Sequence, residues 1–153
     1  MANTFSNLLY HVIFSTKSRE PLISDAWRDD LHAYIGGILR AEQAVLLEAG
    51  SVADHVHLLV KARPAMAIAD LTRLVKANSS KWINERPDHA GRFAWQTGYS
   101  VFSVSESQVP AVRNYIRNQR EHHRVKSYQE ELTALLKNME SNLTRDTWSI
   151  EVW

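Results

Sequence analysis

The stretch Asp54-His55-Val56-His57-Leu58-Leu59-Val60 holds the most informative pattern of the chain. It is apolar, carries β-branched side chains and contains neither Gly nor Pro, which predicts a β-strand. Successive side chains of a strand point to opposite faces. His55 and His57 therefore share one face, and Val56, Leu58 and Val60 share the other. Two imidazoles side by side on a strand form a natural half-site for a divalent metal. The alternative is a pair of hydrogen-bonded polar side chains on a sheet face.

Two further polar residues accompany the histidine pair. Asp54 directly precedes it and is predicted to cap the turn, with a hydrogen bond to a histidine as the alternative role. His11 lies on a predicted strand over residues 8–15, where it points away from the face that carries Val12 and Phe14. It is interpreted as a structural histidine and not as a metal ligand.

A second polar pair lies on a helix predicted over residues 108–124. Tyr115 and Gln119 are four positions apart and therefore share one face of that helix. A tyrosine hydroxyl can act as a nucleophile and form a covalent intermediate. A glutamine carbonyl oxygen can bind a metal or orient a phosphate. If this face packs beside the histidines, one site holds both a metal and a nucleophile. An interfacial tyrosine followed by a solvated glutamine would have the same spacing.

Composition limits the class of protein and the kind of metal site. With 153 residues, of which 44% are hydrophobic, the chain suits one compact domain with a substantial core. Cysteine is absent, so a metal site must use nitrogen and oxygen ligands. That favours Mg²⁺ or Mn²⁺ and does not exclude Zn²⁺. No apolar run is long enough to span a bilayer and nothing marks the chain for export, which predicts a cytoplasmic protein without membrane contact.

Charge is distributed unevenly although the net charge is only +1. Basic residues are concentrated in residues 61–86 and 113–126, whereas the residues from 130 onward are rich in acids. This pattern predicts a local phosphate-binding surface on a nearly neutral protein. Two ordinary solvated helix faces would give the same pattern.

Hydrophobic periodicity predicts the order β-α-β-β-α-β followed by a helix. The predicted strands are 8–15, 44–48, 54–60 and 93–105, and the predicted helices are 25–42, 68–85 and 108–124. Gly50 and Ser51 are assigned to the turn between the second and third strands. A capping box over residues 127–130 opens a last amphipathic segment. The predicted fold class is α+β: a ferredoxin-like split βαβ arrangement with a four-stranded antiparallel sheet, helices on one face and an extra C-terminal helix carrying Tyr115.

The His-Val-His pair followed by a single Tyr-x-x-x-Gln resembles the HUH-type single-tyrosine transposases of small bacterial and archaeal insertion sequences. The REP-associated tyrosine transposases are related to that family. Residues 10–17 look like the family's first strand, 95–105 like its last core strand and 115–123 like its catalytic helix. The resemblance spans roughly residues 5–137. It implies one catalytic domain over residues 1–137 in a prokaryotic protein, and it carries nothing over to the tail, residues 138–153.

The resemblance also implies a chemistry. Tyr115 is expected to attack a phosphodiester of single-stranded DNA at a hairpin-marked element end, giving a 5′-phosphotyrosine link and a free 3′-hydroxyl. Mg²⁺ or Mn²⁺ is expected to be held by His55, His57 and Gln119. Strand transfer at two ends implies a homodimer, whose tyrosine helix completes either its own site or the partner subunit's.

Supporting roles are assigned from charge and position. Three residues close to Tyr115 are possible catalytic support, as cations that favour the phenolate or as a base or ligand: Arg117, Arg120 and His122. Four basic residues are candidates for phosphate contacts on the hairpin: Arg63, Arg73, Lys76 and Lys81. Trp95 and Tyr99 are considered for stacking on unpaired bases, with core packing favoured for Trp95.

Three other functions remain open from the sequence. A metal-dependent nuclease could use the histidine pair to activate water and would leave no protein–DNA adduct. A domesticated relative could bind hairpin DNA without cutting it. A ferredoxin-like binding module with a coincidental histidine pair would show neither metal affinity nor a preference for folded single strands.

Overall fold

The structure, a computed structural model, describes residues 3–119 and 128–138 of the chain. The strands and helices formed by these residues follow one another in the predicted order. They are β1 (Leu8–Ser15), α1 (Arg28–Ala41), β2 (Val45–Ser51), β3 (His55–Ala62), α2 (Ile68–Asn84), β4 (Ser100–Ser103), α3 (Val109–Arg117) and α4 (Tyr128–Asn138). No helix within these residues is long and apolar enough to cross a membrane.

The four strands form one antiparallel sheet in the order β2-β3-β1-β4. This is the sheet of the split βαβ fold, so the predicted fold class is confirmed. β1 and β3 lie at the centre and pair over their full length, from Leu8 opposite Ala62 to Ser15 opposite His55. β2 is an edge strand with a register shift between Leu46 and Glu48.

Helices cover both faces of the sheet. α1 and α2 pack on the face that carries Val12, Phe14 and Leu58, and together they enclose the main hydrophobic core. The opposite face carries a smaller cluster formed by Ile13, Phe102 and Leu132, the last of which belongs to α4. α3 packs on this second face against β2 and β3. The predicted helices on one face are therefore α1 and α2, and the helix with Tyr115 lies across the sheet from them.

The predicted bounds of two strands are wrong. β4 covers only Ser100–Ser103 instead of residues 93–105, because Trp95 makes only an isolated bridge to Thr16 and the chain turns at Gly98, whose φ is 93°. β2 continues through Gly50 and Ser51, which pair with β3 and do not form the turn.

The helix predicted over residues 108–124 is interrupted at Asn118. α3 ends at Arg117 because Asn118 leaves the helical conformation, with φ −96° and ψ 27°. Residues 120–124 of the predicted helix lie outside the described residues.

Lys76 on α2 fixes the segment before β4. Its Nζ donates to the carbonyl oxygens of Gln96, at 2.6 Å, and Gly98, at 2.7 Å. The same ammonium lies 5.6 Å from the centroid of the Phe14 ring. Burial lowers the pKa of Lys76. In this structure the lysine therefore holds a loop against α2.

Replacing Lys76 by Met should destabilise the fold, because two carbonyl groups lose a charged donor. We expect the free energy of unfolding to fall by about 1–3 kcal/mol, the range for hydrogen bonds to charged groups. Urea denaturation measures this change. Lys81→Met, which removes an exposed lysine from the same helix, is the matched control and should change the stability by less than about 0.5 kcal/mol. Equal stabilities of the two variants would contradict a structural role for Lys76.

Candidate functional site

The histidine pair lies near the start of β3, at the centre of the sheet. His55 and His57 are both fully buried and point to the face that α3 and α4 cover. Their ring centroids are 5.2 Å apart. The strand alternation predicted from residues 54–60 therefore places both imidazoles in one enclosed site.

Each imidazole is oriented through its Nδ1 atom. His55 Nδ1 lies 2.7 Å from Asp54 Oδ1, and His57 Nδ1 lies 2.8 Å from His11 Nε2. Both Nε2 atoms then face the same carboxylate, that of Glu131, at 3.4 Å and 3.3 Å. Histidines that bind metals through one nitrogen typically hold the other nitrogen in such a hydrogen bond. The Asp54 side chain thus has the alternative role predicted for it, a hydrogen bond to a histidine. Its backbone carbonyl oxygen accepts a hydrogen bond from the Thr16 backbone N–H.

Burial and neighbouring charges set the protonation of this cluster. Burial, together with the nearby His57, lowers the pKa of His11 to about 3, so His11 is neutral and can share one proton with His57. Burial also lowers the pKa of His55, but the hydrogen bonds to Asp54 and Glu131 outweigh it and the net shift is upward. Carboxylates therefore favour positive charge at His55.

α3 brings Tyr115 and Gln119 to the histidines. The Tyr115 ring centroid lies 5.8 Å from that of His57, and the Tyr115 hydroxyl donates a hydrogen bond to Glu131. Gln119 is 1% exposed, and its Nε2 donates to the Tyr115 carbonyl oxygen at 3.2 Å and to Glu131 Oε1 at 3.3 Å. The structure thus gathers the four residues predicted to form the site within a single chain.

Glu131 on α4 is a site residue that the sequence analysis missed. It is only 4% exposed and contacts four of the other site residues: His55, His57, Tyr115 and Gln119. The sequence does contain a signal. An acidic residue stands four positions before Leu135, on the face that also carries Leu132, so it interrupts an apolar stripe. A carboxylate on a buried helix face needs a partner.

The cluster has the donor set of a divalent metal site. His55, His57 and Glu131 each offer a ligand atom, and these atoms lie within 4.8 Å of one another. Across residues 3–119 and 128–138, the buried Gln119 Oε1 has no hydrogen-bond partner, which fits a further oxygen ligand. Imidazole nitrogen with carboxylate and amide oxygen suits Mn²⁺, Mg²⁺ or Zn²⁺. The chain can therefore hold a metal ion next to a tyrosine hydroxyl.

A close approach between α3 and β2 positions Tyr115. Gly50 of β2 lies under the helix, and a Cβ atom there would overlap the backbone carbonyl of Ile116. Two arginines of α3 hold the helix to the same strand: Arg113 Nη2 donates to the Leu47 carbonyl at 2.8 Å, and Arg117 pairs with Glu48 at 2.9 Å. Leu47 lies within the register shift of β2, so the irregular part of the edge strand anchors the helix.

The residues predicted to support catalysis or to contact phosphates are not gathered around Tyr115. Arg117 points to Glu48 on β2, so its guanidinium is engaged away from the Tyr115 hydroxyl. Arg120 and His122 lie outside the described residues. Among the candidate phosphate contacts, Arg63 donates to the Glu42 carbonyl, while Arg73 and Lys81 are exposed on α2.

The two aromatic candidates for base stacking differ in burial. Trp95 donates to Ser79 Oγ and packs between Phe14 and Phe93, which is the packing role favoured for it. Tyr99 is half-buried against the core.

Comparison with known proteins identifies relatives over most of the chain. A family model described as "Transposase IS200 like" matches residues 4–119. The transposase of insertion sequence element IS200 from Salmonella typhimurium is 28% identical over 130 residues, covering 79% of this chain and 82% of that protein. The ISDra2 transposase TnpA of Deinococcus radiodurans is 26% identical over 117 residues, covering 73% of this chain and 84% of that protein. Glu131 lies beyond the stretch that the family model matches.

Solved structures share the fold. A crystal structure assigned as a transposase, from Deinococcus radiodurans R1, is 28% identical with a TM-score of 0.59, covering 78% of this chain and 95% of that one. A REP-associated tyrosine transposase bound to a REP hairpin has the same TM-score of 0.59 at 11% identity, covering 80% of this chain and 74% of that one. At that identity the second structure supports the fold alone.

Replacing Gly50 by Ala should displace α3 from the sheet. We expect a loss of about 1–3 kcal/mol in the free energy of unfolding, as for other overpacked contacts, together with movement of Tyr115 away from His57. Gly37→Ala is the matched control, since no atom lies within 4 Å of its Cβ position and alanine is the better helix former. Urea denaturation and crystal structures of both variants measure the effects. A Gly50→Ala protein with native stability and an unmoved Tyr115 would disprove the close-approach account.

Replacing Asp54 by Asn should weaken metal binding through His55. The imidazole loses a charged acceptor that orients it and raises its basicity, so we expect Mn²⁺ affinity to fall by about 10-fold to 100-fold. Isothermal titration calorimetry gives the affinity. Asp88→Asn, which removes an exposed carboxylate paired with Arg86, is the control and should leave it unchanged. Equal Mn²⁺ affinities of the two variants would exclude the orienting role of Asp54.

Proposed function

The chain belongs to the IS200-like transposase family, and from this we propose that it cleaves and rejoins single-stranded DNA through a covalent link at Tyr115. The observation that carries the proposal is the placement of the Tyr115 hydroxyl in the same buried cluster as His55 and His57. A nucleophile beside a metal-binding group is what phosphoryl transfer to a protein side chain requires.

The ligands proposed for the metal are His55, His57 and Gln119, with Glu131 as an additional carboxylate. The two imidazole nitrogens face Glu131, and the Gln119 side-chain amide contacts the same carboxylate. Among the described residues the Gln119 carbonyl oxygen has no hydrogen-bond partner, which supports its role as a ligand. Mg²⁺ or Mn²⁺ is the proposed ion, which would neutralise charge on the scissile phosphate. These four side chains are buried, so the surrounding protein shields the site from solvent.

Tyr115 must lose its proton when it attacks. Burial raises the pKa of Tyr115 above its ordinary value near 10, and the hydrogen bond to Glu131 raises it further, so the phenol is protonated at neutral pH. Glu131 already accepts the hydroxyl hydrogen and is placed to take this proton. A bond then forms between the tyrosine oxygen and phosphorus, the bond from phosphorus to the 3′ oxygen breaks, and that oxygen gains a proton from water.

Single-stranded DNA with a hairpin is the proposed partner. A cleft of about 360 Å³ between α2 and residues 97–99 is lined by Arg73, Lys76 and Tyr99 among others. An exposed arginine beside an aromatic ring suits a phosphate next to an unpaired base. Lys81 lies further along the same helix, so a hairpin stem following α2 would meet both exposed cations.

A homodimer is proposed because moving an element requires cleavage at two ends, whereas each chain provides one Tyr115. In the structure Tyr115 lies beside the His57 of its own chain, so the arrangement described is cis. A trans arrangement would require α3 to leave Gly50 and reach the other subunit. Mixing Tyr115→Phe with His57→Ala protein distinguishes the two: recovered activity requires a site built from both subunits.

A second candidate function is a nuclease that uses metal-activated water. The two histidines and Glu131 form a ligand group that would also serve hydrolysis. The nuclease would not need Tyr115 as a nucleophile and would leave no adduct.

Replacing Tyr115 by Phe should abolish formation of a covalent protein–DNA adduct. Wild type and variant are incubated with hairpin-bearing single-stranded oligonucleotides and Mg²⁺ or Mn²⁺, and the adduct is detected on denaturing gels and mapped by mass spectrometry. We expect an adduct on Tyr115 that is lost in the variant and with chelator. Tyr34→Phe, which alters an exposed tyrosine stacked on Trp82, is the matched control and should react like the wild type.

Other outcomes identify the alternatives. Cleavage that survives in Tyr115→Phe without any adduct would establish the nuclease. Tight hairpin binding without cleavage would point to a domesticated DNA-binding protein. Failure to bind either DNA or metal would leave only a ferredoxin-like binding module.

A further inference from the structure

Ser15 is the last residue of β1 and lies beside the buried cluster. In the pairing of β1 with β3, Ser15 is directly opposite His55. Directly opposed residues of antiparallel strands point to the same face of a sheet, with their Cβ atoms about 4.5–5.5 Å apart. The Ser15 side chain therefore lies on the face that carries His55 and His57, next to the first of them.

The Ser15 hydroxyl is buried and has no hydrogen-bond partner within residues 3–119 and 128–138. The whole residue is 0% exposed. A buried polar group without a partner costs free energy, so nearly all such groups in folded proteins are paired. An alanine would complete the strand without that cost. Because local rules are broken mainly at functional sites, the hydroxyl indicates a partner that binds from outside the chain.

The other buried serines of the described chain either have a partner or lie away from the histidine pair. Ser79 Oγ, for example, accepts a hydrogen bond from Trp95 Nε1 at 2.9 Å. Ser100 is 3% exposed, and its hydroxyl has no partner among the described residues. It lies on β4 opposite Ile13, however, and so one strand further from the histidines. Ser15 therefore differs from Ser100 in its position beside the cluster, and not in its burial.

The cluster next to Ser15 already accepts an oxyanion. The Glu131 carboxylate faces the Nε2 atoms of His55 and His57, and it accepts the hydrogen of the Tyr115 hydroxyl. A phosphodiester has two non-bridging oxygens that share its negative charge. An oxygen that does not contact the metal is stabilised by a fixed hydrogen-bond donor. The Ser15 hydroxyl is such a donor, and it adds no charge to the site.

We propose that the Ser15 hydroxyl donates a hydrogen bond to a non-bridging oxygen of the scissile phosphate. The inference rests on the proposed function and adds one substrate contact to it. The Tyr115 ring packs near His11, four residues before Ser15 on the same strand, at 6.2 Å between ring centroids. The nucleophile and the hydroxyl thus lie toward different ends of β1, so Ser15 can contact the phosphate without blocking the attack.

The contact serves cleavage and rejoining alike, because the phosphate keeps its non-bridging oxygens in both directions. Charge is spread over these oxygens in the transition state of phosphoryl transfer. A hydroxyl fixed on a central strand meets that charge without any rearrangement of the chain. Since Ser15 is not among the proposed metal ligands, its replacement should weaken phosphate binding and leave metal binding unchanged.

The first test measures binding of dithymidine monophosphate, which has a single phosphodiester, to the Mn²⁺-loaded full chain. Paramagnetic broadening of its ³¹P resonance gives the affinity at the metal. Ser15→Ala should weaken binding about tenfold, the order expected for one hydrogen bond to a charged group, with unchanged Mn²⁺ affinity. Ser100→Ala is the matched control, since it removes a buried hydroxyl from the same face, and it should bind like the wild type.

Folding stability separates a substrate contact from a structural role. Urea denaturation should show Ser15→Ala to be at least as stable as the wild type, because the variant lacks a buried hydroxyl without a partner. A serine that bonds to a structural water would instead lose stability on replacement. Lower stability of Ser15→Ala together with unchanged phosphodiester binding would overturn the contact, as would a wild type that binds no phosphodiester.

The second test measures adduct formation on hairpin oligonucleotides whose cleaved phosphate carries sulfur in place of either non-bridging oxygen, as the separate Rp and Sp forms. Sulfur accepts hydrogen bonds more weakly than oxygen. The wild type should react about tenfold faster than Ser15→Ala on the unmodified phosphate and on one sulfur form, and it should lose this advantage on the other form.

The outcomes distinguish the contact from the proposed function. Adduct formation with the same wild-type advantage on all three substrates, or with no advantage over Ser15→Ala, would overturn the contact and leave the proposed function intact. Absence of any adduct would count against the proposed function, and phosphodiester binding then decides the contact. Equal affinities of Ser15→Ala and Ser100→Ala would overturn it.

Discussion

The antiparallel pairing of β1 with β3 is the interaction on which the rest of the structure depends. Its eight-residue register places Ile13 opposite His57 and Ser15 opposite His55 at the centre of the sheet. A slip by one residue would turn both histidines toward the core under α1 and α2. The same pairing brings His11 close enough to hold the Nδ1 atom of His57. Backbone hydrogen bonds of the central strands thus set both the position and the orientation of the metal-binding imidazoles.

The site is completed from elements distant along the chain. α3 rests on β2 at a point where only glycine fits, and this contact puts the Tyr115 ring over His57. α4 then inserts Glu131 among the imidazoles, the phenol and the amide of Gln119. The Glu131 carboxylate raises the pKa of His55 and so favours a positive charge there. It also raises the pKa of Tyr115, which keeps the phenol protonated. A divalent ion bound there would change both effects, so metal binding and the state of the nucleophile are coupled.

Much of this arrangement follows from local patterns in the sequence. Period-two alternation placed His55 and His57 on one face, and the spacing of four placed Tyr115 with Gln119, because both depend only on neighbouring backbone geometry. The order of strands and helices gave the fold class for the same reason. Glu131 and Gly50 were missed or misassigned because their roles arise from packing between elements far apart in the chain. The contacts of Lys76 with the loop before β4 were not predicted either, because a lysine on a polar helix face gives no sign that a later segment of the chain will cover it.

The most direct measurement is anomalous diffraction from crystals of the full chain soaked in MnCl₂. We expect one strong Mn²⁺ peak within about 2.0–2.3 Å of the Nε2 atoms of His55 and His57, with an oxygen of Gln119 or Glu131 also coordinated and Tyr115 still beside His57. A Mn²⁺ ion bound elsewhere, or an empty histidine pair at saturating Mn²⁺, would contradict the metal centre and the tyrosine chemistry built on it.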